Sequence, residues 1–116
     1  WHADVGNDFL TKFLKSSAGA DMLGEIGIGM HPRIQKITKQ ILFDEKIGGS
    51  VHLAFGSAYE SHVTGDGDKS GLNESPEHWD MIHDMRHDSA YIELQGPEIG
   101  TARLFWDKKK ESWVSE

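Results

Sequence analysis

The sequence predicts an α+β fold, a mostly antiparallel sheet accompanied by two or three helices. Two observations indicate this class: apolar residues at helical spacing occur early in the chain, and most segments that alternate apolar and polar residues come late. The 116 residues fall within the usual range for one domain, and no internal repeat or linker is visible. We therefore expect a single domain over residues 1–116.

Two segments have the apolar spacing of helices. Residues 7–17 carry phenylalanine and leucine pairs at i, i+4 spacing, and Asn7 is the expected N-cap. Residues 34–47 repeat isoleucine at similar spacing and run into the glycine pair at 48–49, a common way for a helix to end. Both segments are predicted to be helical over their full length.

The remaining pattern predicts strands and turns. Residues 50–56 alternate strictly, with His52 on the face opposite the apolar side chains. The other strand predictions are 22–29, which is rich in glycine, then 78–85, 90–94 and 101–106, the last two joined through 95–97. Residues 60–76 are predicted to be a long surface loop, and 108–110 a solvated turn.

Composition excludes several classes of function. Twelve basic against 19 acidic residues give a formal net charge of −7, which argues against binding nucleic acid through its phosphates. No apolar run approaches the roughly 20 residues that span a bilayer, so we expect no membrane partner. The chain lacks cysteine, a leading Met and a signal-like stretch, so we expect part of a cytoplasmic chain. Seven histidines beside the carboxylates point to oxygen and nitrogen ligands for a metal.

Five residues could build such a site: Glu25, His52, Tyr59, His78 and Asp80. In a strand, His78 and Asp80 would share one face while the residue between them packs behind. Glu25 and His52 lie on the less apolar sides of strands flanked by glycine. If the three strands are neighbours, four ligand-type side chains converge, and the Tyr59 phenol follows just beyond a strand end. Spacing alone supports this site weakly, because a histidine in a strand is more often an ordinary polar residue.

Three blocks of sequence resemble the thermophilic-type metalloaminopeptidases, the aminopeptidase T and aminopeptidase S family. The blocks are GEIGIG at 24–29, ILFDEKIGGSVHLAFG at 41–56 and HWDMI at 78–82, and they follow the family's order. The resemblance runs from about residue 6 to residue 86 and continues more loosely to the end. It identifies the chain as the C-terminal, metal-ligating portion of a longer metallopeptidase, whose upstream part supplies another Glu ligand.

The resemblance implies an exopeptidase that removes N-terminal residues from peptides with two divalent ions, zinc, cobalt or manganese. Glu25 would be the bridging carboxylate, and Tyr59 would bind metal or stabilise the transition state. The other implied ligands are His52, His78 and Asp80, and Glu45 would be either a further ligand or a residue that supports one. We expect a homodimer of the full-length protein and no activity from the isolated 116 residues. Met30-His31 departs from the Thr-Asn that often follows the first block, and the stretch between Tyr59 and His78 is expanded and acidic.

Two other interpretations remain open. His52, His78 and Asp80 also form a 2-His-1-carboxylate set, as in mononuclear non-haem iron dioxygenases, and some ring-cleaving dioxygenases of hydroxypyridines resemble the same family. Glu25 distinguishes the two enzymes, because a dinuclear peptidase needs a bridging carboxylate and a single iron does not. The third interpretation is a non-catalytic structural fragment, which failure to bind any divalent ion would favour.

Overall fold

The chain folds into two short helices and two three-stranded sheets, as an α+β class predicts. The computed structural model describes residues 2–59 and 71–116, so most of the predicted loop at 60–76 lies outside the described residues. The elements in chain order are α1 (Asn7–Leu14), β1 (Leu23–Ile28), α2 (Ile41–Asp44), β2 (Ser50–Gly56), β3 (His78–Asp84), β4 (Ile92–Gly96), β5 (Gly100–Asp107) and β6 (Ser112–Ser115). Neither helix in the described part of the chain has the length and apolar content needed to cross a bilayer.

The first sheet has the order β1-β2-β3, so β2 is its central strand. Gly56 donates its N–H to Met22 O at 2.8 Å, and Gly29 donates to Ser50 O at 2.8 Å. These bonds join opposite ends of β1 and β2, which therefore run antiparallel. Five of the seven residues of β2 are buried and the other two are half-buried, as expected for a strand with a neighbour on each side.

The second sheet is a meander in the order β4-β5-β6 with antiparallel pairing throughout. The β4–β5 hairpin closes at Gly96 opposite Gly100, so the turn is at 97–99, close to the predicted connection. Trp106 lies opposite Trp113, and their ring centroids are 5.8 Å apart. Strand β6 was not predicted, because its four residues are too few to establish an alternating pattern.

The predicted helix over 34–47 is wrong for most of its length, since only Ile41–Asp44 is helical. The Asp44 carboxylate accepts hydrogen bonds from Thr38 N at 2.8 Å, Thr38 Oγ1 at 2.7 Å and Lys39 N at 2.9 Å. These hydrogen bonds hold the pKa of Asp44 below its usual range, and the bond from the Thr38 backbone N–H has the largest effect. Lys39 has φ 63°, which no right-handed helix contains. The side chain of Asp44 therefore satisfies backbone donors that an earlier helix would have used.

The first helix is shorter than predicted and begins differently. It ends at Leu14 rather than at 17, and its N-cap is Gly6 with φ 75°, not Asn7. The Asn7 Oδ1 instead accepts a hydrogen bond from Ala3 N at 3.1 Å. A glycine can adopt this left-handed conformation without steric penalty, so the cap moves one residue towards the N-terminus.

Contacts group the chain into two compact units, each built from two segments. One contains Trp1–Ile26 and Leu53–Met81, and its buried apolar residues include Leu14 and Ala20. The other contains Gly27–His52 and Ile82–Glu116, with Ile47 buried and the Trp113 indole donating to Gly29 O at 2.9 Å.

Candidate metal centre

Strand β3 presents two ligand-type side chains on one face. His78 Nε2 lies 3.5 Å from Asp80 Oδ1, so these two residues point the same way, as the period of a strand requires. Trp79 points to the other side, where its ring meets Phe9 edge-on at 5.6 Å and Phe13 at 4.7 Å between centroids. The packing of α1 against Trp79 thus fixes which face of β3 carries the acid and the imidazole.

The two nitrogens of His78 have different partners. Nδ1 lies 2.8 Å from Ser57 O, and because a carbonyl only accepts, this contact assigns the ring proton to Nδ1. Nε2 then faces two carboxylates, Glu25 Oε2 at 3.8 Å and Asp80 Oδ1 at 3.5 Å. With the proton on Nδ1, His78 Nε2 and the two carboxylate oxygens that face it are all acceptors, an arrangement that a shared cation would stabilise.

These groups are shielded from water, so their electrostatic interactions are weakly screened. The side chains of His78 and Glu25 are each 16% exposed, and that of Asp80 is 14% exposed. Asp80 Oδ1 is itself buried and accepts no hydrogen bond from any residue that the structure describes. A buried carboxylate oxygen without a donor is unfavourable, and metal coordination is one of the few arrangements that compensates it. The residues therefore fit a divalent cation.

His52 in β2 brings a second imidazole. Its ring packs on Gly27 in β1, where a Cβ atom would lie only 2.1 Å from His52 Cε1. One ligand atom from each of Glu25, His52 and Asp80 lies within 4.8 Å of the others. Ligands about 2.0–2.2 Å from a common cation lie at most about 4.4 Å apart, so the spacing of these three atoms is close to what one cation requires. The structure thus brings together the carboxylates and imidazoles singled out in the sequence.

The two remaining candidates differ in position. The Tyr59 ring lies 4.6 Å from the His78 ring between centroids, beside a ligand-type side chain. Glu45 follows α2, and its carboxylate is paired with the Lys46 ammonium. Among the described residues, Glu45 does not belong to the group whose ligand atoms lie close together, so its role as a ligand stays a prediction.

Sequence reasoning missed the supports of the site. The Ser57 carbonyl is a backbone group, and no side-chain pattern predicts which carbonyl a histidine will meet. Asn73 donates from its side-chain amide to Gly19 O at 2.8 Å and Gly56 O at 2.6 Å, although it lies in a segment predicted only as loop. Gly27 lies in the glycine-rich segment predicted as a strand, but the sequence does not show that it packs against the His52 ring.

The comparisons with known proteins agree with the chemistry of these residues. The family model described as thermophilic metalloprotease (M29) matches residues 1–99, and the chain belongs to this family. No curated protein and no solved structure matches the chain.

Proposed function

We propose that this member of the thermophilic metalloprotease family is the metal-ligating part of an aminopeptidase with a dinuclear centre. One observation carries the proposal: His78 Nε2 faces the carboxylates of Glu25 and Asp80 in a nearly dry environment. Carboxylate oxygen and imidazole nitrogen are the ligands that zinc and related divalent ions prefer. Peptide substrates, a homodimer of the full-length protein and a cytoplasmic location belong to the same proposal.

Each residue has a definite task in this scheme. Glu25, His52, His78 and Asp80 would hold the divalent cations, with Glu25 as the carboxylate shared between them. A divalent cation in such a site polarises a carbonyl group and lowers the pKa of water. The close packing of His52 on Gly27 and the Ser57 contact of His78 hold both imidazoles in fixed orientations before substrate arrives.

Tyr59 acts on the substrate. We propose that its hydroxyl donates a hydrogen bond to the oxygen of the scissile carbonyl, where negative charge develops as the peptide bond is attacked. The Tyr59 ring lies beside that of His78, one of the proposed ligands.

The Glu25→Gln variant tests the proposal. It keeps the size of the side chain but removes the charge that a bridging ligand needs, so we expect peptide hydrolysis to fall below detection. Metal analysis of the full-length protein should give two divalent ions per unaltered chain and fewer in the variant. Glu98→Gln, in the β4–β5 turn, is the matched control and should retain full activity and metal content.

Two results would contradict the proposal. Normal turnover by Glu25→Gln would remove Glu25 from the reaction. One iron per chain, together with oxygen uptake on a hydroxypyridine substrate, would establish the mononuclear dioxygenase instead.

A further inference from the structure

We infer that Asn73 is a positioning residue for the candidate metal centre, and that it acts through the backbone of Gly56–Ala58 on the imidazole of His78. The inference rests on the proposed function for its consequence in metal binding. Its physical basis is a continuous set of hydrogen bonds within one of the two compact units.

Asn73 holds the chain on both sides of Ser57. Its side-chain NH2 donates to Gly56 O at 2.6 Å and to Gly19 O at 2.8 Å, and its own carbonyl accepts from Ala58 N at 2.8 Å. Both amide protons are therefore used, and no side chain with fewer than two donors could replace them. The residue fastens the end of β2 to the turn that precedes β1.

Ser57, between these two anchors, holds His78. Its N–H donates to Glu77 O at 2.7 Å, and its carbonyl lies 2.8 Å from His78 Nδ1. The backbone is unusually constrained here, because Gly56 has φ 99° and a Cβ on it would lie 2.1 Å from Glu77 O. A small displacement of residues 56–58 would therefore move the carbonyl that sets the His78 tautomer.

The consequence lies at the other nitrogen of the ring. While Nδ1 carries the proton, the lone pair of Nε2 is available towards Glu25 and Asp80. If the Ser57 carbonyl moves away, the proton is free to transfer to Nε2, which then cannot coordinate a cation. Partners that orient a ligating histidine are worth about 10–100-fold in metal affinity or activity. Because Asn73 acts one step further out, we expect about a tenfold effect, at the lower end of that range.

The Asn73→Asp variant of the full-length protein tests this inference, because it keeps the side-chain shape and removes both donors. We expect about a tenfold lower Zn²⁺ affinity, measured by competition with a chromophoric chelator. In the metal-free protein, ¹H–¹⁵N NMR of the imidazoles should show His78 changing from the Nδ1–H form to a mixture. An added negative charge would by itself favour cation binding, so a fall in affinity reports the lost donors. Asn7→Asp is the matched control, since it makes the same change at a side chain whose Oδ1 accepts a hydrogen bond from Ala3 N and whose NH2 donates none to the residues that the structure describes.

The outcomes are separable. An unchanged His78 tautomer and an unchanged Zn²⁺ affinity in Asn73→Asp would overturn the inference. If the unaltered protein binds no Zn²⁺, the proposed function is overturned, and the His78 tautomer in the variant then decides the inference by itself. If Asn73→Asp does not fold, the unaltered protein still tests the inference. In that protein the side-chain amide protons of Asn73 should exchange slowly with water, and His78 should be in the Nδ1–H form. Finding His78 in the Nε2–H form would overturn the inference.

Discussion

At the scale of single residues, His78 is constrained on three sides. Its Nδ1 meets the Ser57 carbonyl, its Nε2 faces Glu25 and Asp80, and its ring lies against Tyr59. Each contact restricts a different freedom: the tautomer, the direction of the lone pair and the tilt of the ring. Such restriction lowers the cost of reorganisation when a ligand binds, which is how a site achieves affinity without additional contacts.

Tyr59→Phe separates the packing of the ring from the chemistry of its hydroxyl. The ring contact with His78 is retained, so we expect metal content to stay at the unaltered level. Loss of one donor to a developing oxyanion typically lowers kcat by about 10²–10³-fold, and we expect a decrease of that order for peptide hydrolysis. Tyr91→Phe is the control, because the Tyr91 ring packs on Phe105 and under Arg103 in the second sheet. Undiminished kcat in Tyr59→Phe would remove the hydroxyl from the reaction.

Asp84 predicts a pH dependence of stability. Two hydrogen bonds from the Arg86 guanidinium, at 2.8 Å each, lower the pKa of Asp84 from 3.8 to about 2. A carboxylate whose pKa is lowered in the folded state contributes its full stabilisation above about pH 3.8, the ordinary pKa of the group. This contribution to stability is lost as the pH falls towards about 2, the pKa in the folded state. Unfolding in urea should therefore show Asp84→Asn to be less stable than the unaltered chain at neutral pH, with the difference shrinking through that window. Asp21→Asn, at an exposed position, is the control. A stability difference between Asp84→Asn and the unaltered chain that does not vary with pH would contradict the prediction.

At the scale of elements, the glycines of β1 determine how closely β1 and β2 approach. A Cβ on Gly27 would lie 2.1 Å from the His52 ring, and one on Gly24 would lie 2.4 Å from Gly56 O. At these two positions β1 has no side chain to pack, and the space is occupied by the His52 imidazole and the Gly56 carbonyl.

Gly27→Ala should displace His52 while β1 keeps its hydrogen bonds. We expect the variant to bind Zn²⁺ at least about tenfold more weakly, as for other losses of support around a metal ligand, and to remain folded by circular dichroism. Gly96→Ala is the matched control, since its Cβ would meet only the flexible Ile99 side chain at 3.3 Å. Equal Zn²⁺ affinity in the two variants would show that the contact with His52 is unimportant.

The same elements show what sequence can predict. Strand β2 follows from alternation, and in the predicted strand at 78–85 the strand period puts His78 and Asp80 on one face and Trp79 on the other. The helix expected over 34–47 fails because Asp44 bonds to Thr38 and Lys39, a local competition that isoleucine spacing does not reveal. The supports of the site at Ser57 and Asn73 stay hidden from sequence because they depend on backbone atoms distant along the chain.

At the scale of the whole molecule, the candidate ligands come from three strands that are far apart in sequence. Glu25 belongs to β1, His52 to β2, and His78 and Asp80 to β3. In an unfolded chain these groups are dispersed, so a cation that needs all of them binds the native state almost exclusively. Binding free energy then adds to folding free energy.

Metal supply should therefore raise the melting temperature. At a free concentration of 100 times Kd, a ligand specific for the native state stabilises it by about 2.7 kcal/mol, equivalent to roughly 10 °C for a chain of this size. Differential scanning calorimetry with Zn²⁺ and then with excess chelator should show this rise and its reversal. His52→Ala should respond much less, and an identical response in that variant would exclude His52 from the site.

Strand β3 places an indole between two ligand-type residues, and this order limits how the gene can change. Deleting a single codon between His78 and Asp80 would turn the aspartate towards α1 and the residues after it to the wrong side of the sheet. Conservative replacements at Trp79 keep the spacing and leave both ligands in place. Over evolutionary time this stretch should accept a different amino acid more readily than a change in its length.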